Sequence, residues 1–200
     1  MSSMTMLERI GHALMHVSAW PGRVSSWLVL PIILAVLVAV TGTMMRLGDL
    51  FGWGFAIPLL GSHLSITGLA ELQWHLFAVM VMLGASFALA EDRHVRVDFI
   101  YAKFQGRGKA VVDIIGDLVL LLPFCAIVAW LSLNFVGLAY RSGEQSDYGG
   151  LTDRYLVKAI LPIGLALLFT AGLGRIIRNV GFLLSGRQAA EPGPNGASHG

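Results

Sequence analysis

Apolar residues in this chain gather in four long runs instead of alternating with polar ones. Three uncharged stretches occupy residues 24–45, 72–90 and 118–140. A fourth runs uncharged over 159–174 and stays apolar past Arg175 and Arg178 to about residue 182. A helix needs roughly 17–25 residues to cross about 30 Å of hydrocarbon, so the pattern predicts four transmembrane helices. Arg175 and Arg178 are expected to snorkel from the end of the fourth span to the headgroups. Pro31 and Pro162 lie near span starts, where lost amides matter least. Pro123 lies within the third span and should bend it, freeing a carbonyl one turn earlier that a neighbouring helix must satisfy.

The segments outside the spans carry patterns of their own. Leu7, Ile10, Leu14 and Val17 recur at helical spacing, with Glu8, His12 and His16 opposite, which predicts an amphipathic helix on the membrane surface. The two histidines share metal-ligand spacing, but no third ligand lies nearby in sequence, and a solvated polar face is the simpler reading. The connector 47–70 is oddly apolar, with Phe51, Trp53, Phe55, Ile57, Leu59 and Leu60 among glycines. It reads equally well as an interfacial aromatic anchor or as a surface that buries itself against another protein. Residues 141–158 form a short connector of mixed charge. The tail 185–200, rich in Gly, Pro, Ser and Asn, is expected to be disordered, leaving 1–184 as a single membrane domain.

Composition fixes the class. Hydrophobic residues make up 56% of the chain and charged ones 13%, against roughly a quarter charged in soluble domains. Such a chain has too few charges to cover a water-facing surface, so the expected fold is an all-α integral membrane protein. Ten lysines and arginines fall on the side of the termini and the second connector, four on the other. That bias predicts both termini in the cytoplasm. The first apolar run starts late and is long for a signal peptide, so it is expected to remain as an anchor. The net charge of +2 invites no nucleic acid, and the single cysteine, Cys125, excludes an internal disulfide or a CxxC centre.

Few polar groups are placed for chemistry. Glu71 and His75 share a helix face at the mouth of the second span, with Trp74 beside them. They read as a proton-sensitive or substrate-contacting pair or, more simply, as an interfacial Glu–His hydrogen bond. Asp113 and Asp117 repeat the spacing before the third span, where they are expected to face Arg93 and Arg96. A haem between facing helices lacks its pair of histidines, since only His75 falls near a span. No Gly-x-Ser-x-Gly or HExxH motif appears, and no span shows a deeply buried acid or base. The expectation is a non-enzymatic helical accessory unit that needs no cofactor or metal. The alternatives are an accessory subunit of a membrane electron-transfer complex, or a small channel or transporter that assembles with itself.

One family shares these motifs in order. The run Glu71-Leu72-Gln73-Trp74-His75-Leu76-Phe77 precedes Leu83-Gly84-Ala85-Ser86-Phe87 and then His94-Val95-Arg96-Val97-Asp98. Gly143-Glu144-Gln145-Ser146, Gly149-Gly150-Leu151, Arg154-Tyr155-Leu156-Val157-Lys158 and Leu161-Pro162-Ile163-Gly164 follow. From about residue 26 to 180 the chain resembles the small (Q-type) membrane subunit of tripartite ATP-independent periplasmic (TRAP) transporters. The resemblance implies a bacterial inner-membrane subunit that scaffolds a large multi-spanning transport subunit. That assembly imports a carboxylate delivered by a periplasmic substrate-binding protein, driven by an ion gradient, usually of sodium. It also implies that Glu71, Trp74 and His75 lie at the periplasmic end of the second span. His94, Arg96 and Asp98 would open a cytoplasmic connector, and Glu144, Ser146, Arg154 and Lys158 would form an outer polar surface near the docked binding protein.

Overall fold

The structure is a computed structural model and describes residues 5–91, 106–147 and 149–185. Helix α1 (Met6–Ser25) opens on a reciprocal cap. The Thr5 side chain accepts from the Glu8 amide, and the Glu8 carboxylate accepts from the Thr5 amide. A 3₁₀ turn (Ser26–Leu28) joins it to α2 (Val29–Met44), so the predicted surface helix and the first span form one long helical run. Pro21 lies inside α1, a few residues before this joint. Strands β1 (Asp49–Ile57) and β2 (Gly61–Ser65) pair antiparallel as a hairpin. Helix α3 (Ile66–Ala90) starts on Ser65, whose hydroxyl accepts from the Gly68 amide at 2.9 Å. Beyond residue 105 come α4 (Arg107–Gly116), a π-helical turn (Asp117–Leu121), α5 (Leu122–Ser142), the short α6 (Tyr155–Lys158) and α7 (Ile160–Leu184).

Among the described residues, four helical runs are long and apolar enough to cross a membrane, as the sequence predicts: Met6–Met44, Ile66–Ala90, Arg107–Ser142 and Tyr155–Leu184. The interruption expected at Pro123 takes a specific form. Proline stands within the first residues of α5, and the backbone just before it widens into the π turn, where the Leu122 amide reaches Asp117 O.

The spans form a row. α2 packs on α3, α3 on α7 and α7 on α5, while α1 lies along both α3 and α7. Small residues make these contacts, because lipid tails are as apolar as leucine and burial alone does not drive helices together in a bilayer. A Cβ on Gly11 would sit 2.6 Å from both Arg178 N and Gly174 O, and one on Gly22 would sit 2.5 Å from Leu83 O. One on Gly164 would meet Met82 O at 2.7 Å. Ser86 Oγ donates to Ser18 O at 2.7 Å across the α1–α3 contact. The apolar cluster Ala35, Ala39 and Leu69 joins α2 to α3 under Leu50 and Leu64 of the hairpin.

The packed face of α1 corrects one expectation. Leu7, Ile10 and Val17 do point outward, but Glu8 is buried against Gly181 in the α1–α7 contact, while His12 and His16 are exposed. The three polar residues therefore do not make one solvated face. A stripe of small side chains (Gly11, Ser18, Ala19, Gly22) packs on protein together with Glu8 and leaves the apolar row and both histidines outside.

Candidate functional site

The polar residues collect at the two ends of the row. At the hairpin end, the connector between α5 and α6 folds back onto the first turns of α3. Gly143, left-handed at φ 59°, ends α5. The Ser146 amide then donates to Leu151 O at 3.0 Å, and the Arg154 amide to Glu144 O at 3.2 Å, closing the connector on itself. Leu151 is fully buried beneath it. The Thr152 amide donates to Leu59 O at 3.0 Å and Ser65 Oγ to Gly149 O at 3.1 Å, so the connector also holds the hairpin.

Glu71 is the centre of this arrangement. Its carboxylate accepts from Ser146 Oγ at 2.6 Å, from the Leu151 amide at 2.9 Å and from Arg154 Nη2 at 3.0 Å. Three donors around one carboxylate satisfy a charge that burial would otherwise penalise. Gly150 touches the same carboxylate so closely that a Cβ there would overlap Glu71 Oε2. The next ion pair joins Lys158 to Glu144, and Lys158 Nζ lies 4.1 Å from the centre of the Phe135 ring. Tyr140 and Tyr155 meet edge to face, 5.1 Å between centroids.

The expected Glu71–His75 pair takes a different form. His75 Nδ1 donates to the backbone carbonyl of Glu71 at 2.6 Å, and the Glu71 side chain turns away to the connector. Trp74 stands 73% exposed on the outside of α3. His75, Glu144, Arg154 and Lys158 share the wall of a cleft of about 360 Å³, otherwise lined by aliphatic side chains such as Met82 and Leu161. Within it the Arg154 Nε–H is buried and meets no acceptor among the described residues. Glu71, Ser146 and Arg154 are thus brought into one cluster, with Glu144, Lys158 and His75 adjoining it. His94, Arg96 and Asp98 lie outside the described residues.

The opposite end holds a group that the sequence reading missed. Asp117, 1% exposed, is gripped by Arg175 through both nitrogens of the guanidinium edge, Nε lying 2.6 Å from Oδ2. Asp117 therefore pairs across to α7; Arg93 and Arg96, its expected partners, lie outside the described residues. Arg175, 8% exposed, does not snorkel outward. The view that no span carries a buried acid or base is corrected with it. The signal was present: a lone acid at the edge of one apolar helix and a lone arginine well inside the next are costly apart and stable when bidentate. Nearer the joint of α1 and α2, Arg23 pairs with Glu91 at 3.3 Å and lies over the Phe87 ring.

A family model for the DctQ component of the tripartite ATP-independent periplasmic transporters matches residues 55–181. The chain belongs to the DctQ family. The match runs from β1 to the last turn of α7 and includes both polar ends of the row. No curated protein and no solved structure is significantly similar to this chain. This DctQ protein is a small component of a TRAP transporter and a membrane protein with four spans. Its polar side chains hold helices and connectors together.

Proposed function

We propose that this DctQ component scaffolds a large multi-spanning transport subunit in a secondary transporter of the bacterial inner membrane. That transporter imports an organic carboxylate delivered by a periplasmic binding protein and draws on an ion gradient, sodium by the family resemblance. The observation that carries the reading is the row itself. Its charged side chains gather toward the two ends, and the most deeply set of them, Arg175, is neutralised by Asp117. Such a row offers no charged path of its own through the bilayer, but two apolar flanks. Leu34 and Leu37 of α2 stand on one, and Ile127 and Trp130 of α5 on the other, all exposed. A large apolar subunit and the surrounding lipid are the natural partners of those flanks.

The excess of basic residues favours termini in the cytoplasm and the hairpin end in the periplasm. There the Glu71 cluster fixes the α5–α6 connector, and Glu144, Ser146, Arg154 and Lys158, with His75 and Trp74, form the surface toward the binding protein. On the cytoplasmic side, His94, Arg96 and Asp98 open the connector that holds the large subunit.

Affinity purification of the chain from its native membranes in mild detergent tests the scaffold. The expected result is a large multi-spanning partner in constant ratio, and uptake in liposomes only when both chains are present. Recovery of the folded chain alone would overturn the proposal. Alanine at Arg96 or at Asp98 is expected to lower recovery of the partner, and normal recovery from both variants counts against the role of the second connector.

A further inference from the structure

A second cleft, of about 310 Å³, opens between α1, α4 and α7 at the end opposite the hairpin. Glu8 and His12 come from α1, Lys109 and Asp113 from α4, and Arg178 and Asn179 from α7. Asn179 is only 7% exposed, and its Nδ2 is buried with no hydrogen-bond partner among the described residues. A buried amide donor without an acceptor is unfavourable, and the group that relieves it must bring an oxygen. Arg178, next in the chain on the same wall, adds a positive charge beside that donor. Glu8 is engaged in the α1 cap, where it accepts from the Thr5 amide at 2.6 Å.

Depth narrows the ligand. On α7 the lining residues lie one to two turns beyond Arg175, and on α4 they lie one to two turns before Asp117. The cleft therefore sits just past the ends of the uncharged stretches, at the level of lipid headgroups. Ala110 of α4 and Phe182 of α7 add an apolar part to its wall, against which an acyl chain can lie. Charge narrows it again. Lys109 and Arg178 are balanced by Glu8 and Asp113, so the cleft has no net charge to attract an anion but places both signs within one headgroup's reach.

We propose that this cleft holds the headgroup of a zwitterionic phospholipid. Asn179 Nδ2 and Arg178 donate to its phosphate, and its ammonium lies toward the acidic side chains. The site is independent of what the assembly transports. It makes a bound lipid part of the contact between α1 and α7.

The test is native mass spectrometry of the full chain, with any partner it retains, released from nanodiscs of equal phosphatidylethanolamine and phosphatidylglycerol. One phosphatidylethanolamine per chain is expected to stay bound, and Arg178→Gln and Asn179→Leu are each expected to lower its occupancy about tenfold. Arg178→Gln leaves the buried amide in place, so it reads the site even if Asn179→Leu folds poorly. Millimolar inorganic phosphate is expected to leave the lipid bound. Three results would each overturn the proposal: no retained lipid, equal retention in wild type and both variants, or displacement by inorganic phosphate. Preference for phosphatidylglycerol would overturn the zwitterionic assignment. Partner recovery is scored in the same spectra, so failure of the lipid site and failure of the scaffold reading are seen separately.

Discussion

Glu71 and Asp117 show what a single carboxylate does in a chain with so few charges. Asp117 is buried and Glu71 partly so, and each is held by an arginine from a distant helix or connector, at 3.0 Å in the Glu71–Arg154 pair. Removing one partner of a buried pair leaves the other charge uncompensated and costs about 3–5 kcal/mol, while replacing both by apolar groups costs far less. Asp117→Asn is therefore expected to destabilise the detergent-solubilised protein by about that amount, and Asp117→Leu with Arg175→Leu to recover most of it. Thermal unfolding of the single and double variants checks this. At the hairpin end, with Arg154 partly exposed, Glu71→Gln is expected to cost about 1–3 kcal/mol and Ser146→Ala about 1 kcal/mol. Gly150→Ala should resemble Glu71→Gln, because the added methyl displaces the carboxylate. Limited proteolysis at the α5–α6 connector reads all three. The sequence made Glu71, Ser146 and Arg154 visible as candidates but not as a cluster. Helical spacing brings Glu71 and His75 together, yet the choice of a carboxylate among several donors is made by the returning connector, which spacing does not encode.

Elements were more legible where their length did the work. The four spans follow from uncharged runs, and the structure lengthens them without moving them: α3 starts at Ile66, well before the charge at Glu71. The hairpin was missed although its signal is simple. Bulky and small residues alternate from Phe51 to Ala56 with the period of a strand, and Trp53 Nε1 fixes the turn by donating to Gly61 O at 2.8 Å. The same aromatics suit an interfacial anchor, so the alternation alone does not single out a strand. In α1 the apolar stripe faces outward as its spacing predicts, but a stripe of small residues with Glu8, beside the exposed His12 and His16, packs on protein. That contact depends on backbones in touch at Gly11, Gly174 and Gly181. Gly11→Leu is accordingly expected to push α1 from α7 and destabilise by about 1–3 kcal/mol. Val17→Leu, on the exposed side of the same helix, should be within about 0.5 kcal/mol of wild type. A disulfide engineered between α1 and α7 would report the separation as a lower cross-linking yield in Gly11→Leu.

At the scale of the molecule, the row leaves the two outer helices half uncovered, and topology decides what each end of it meets. The basic bias and the fold make one joint claim: the hairpin turn lies outside and the start of α4 inside. With Cys125 replaced by Ser, a cysteine at Ser62 is expected to react with a membrane-impermeant maleimide in intact cells, and one at Lys109 only after permeabilisation. The reverse pattern would invert the membrane orientation and move the Glu71 cluster away from any binding protein. The flanks then give a sharper test of assembly. A charge facing lipid at mid-span costs about 2.5–3.5 kcal/mol on insertion scales, whichever flank carries it. Trp130→Arg on α5 and Leu37→Arg on α2 should thus insert about equally poorly if lipid covers both. If the large subunit covers one flank, the variant on that flank alone loses its partner, even among molecules that have inserted and kept the Glu71 cluster. The ratio of partner to chain after purification, compared between the two variants, identifies the covered flank. Equal ratios at the wild-type value would mean that the large subunit meets neither α2 nor α5, and would move the scaffold contact to the connectors at the two ends.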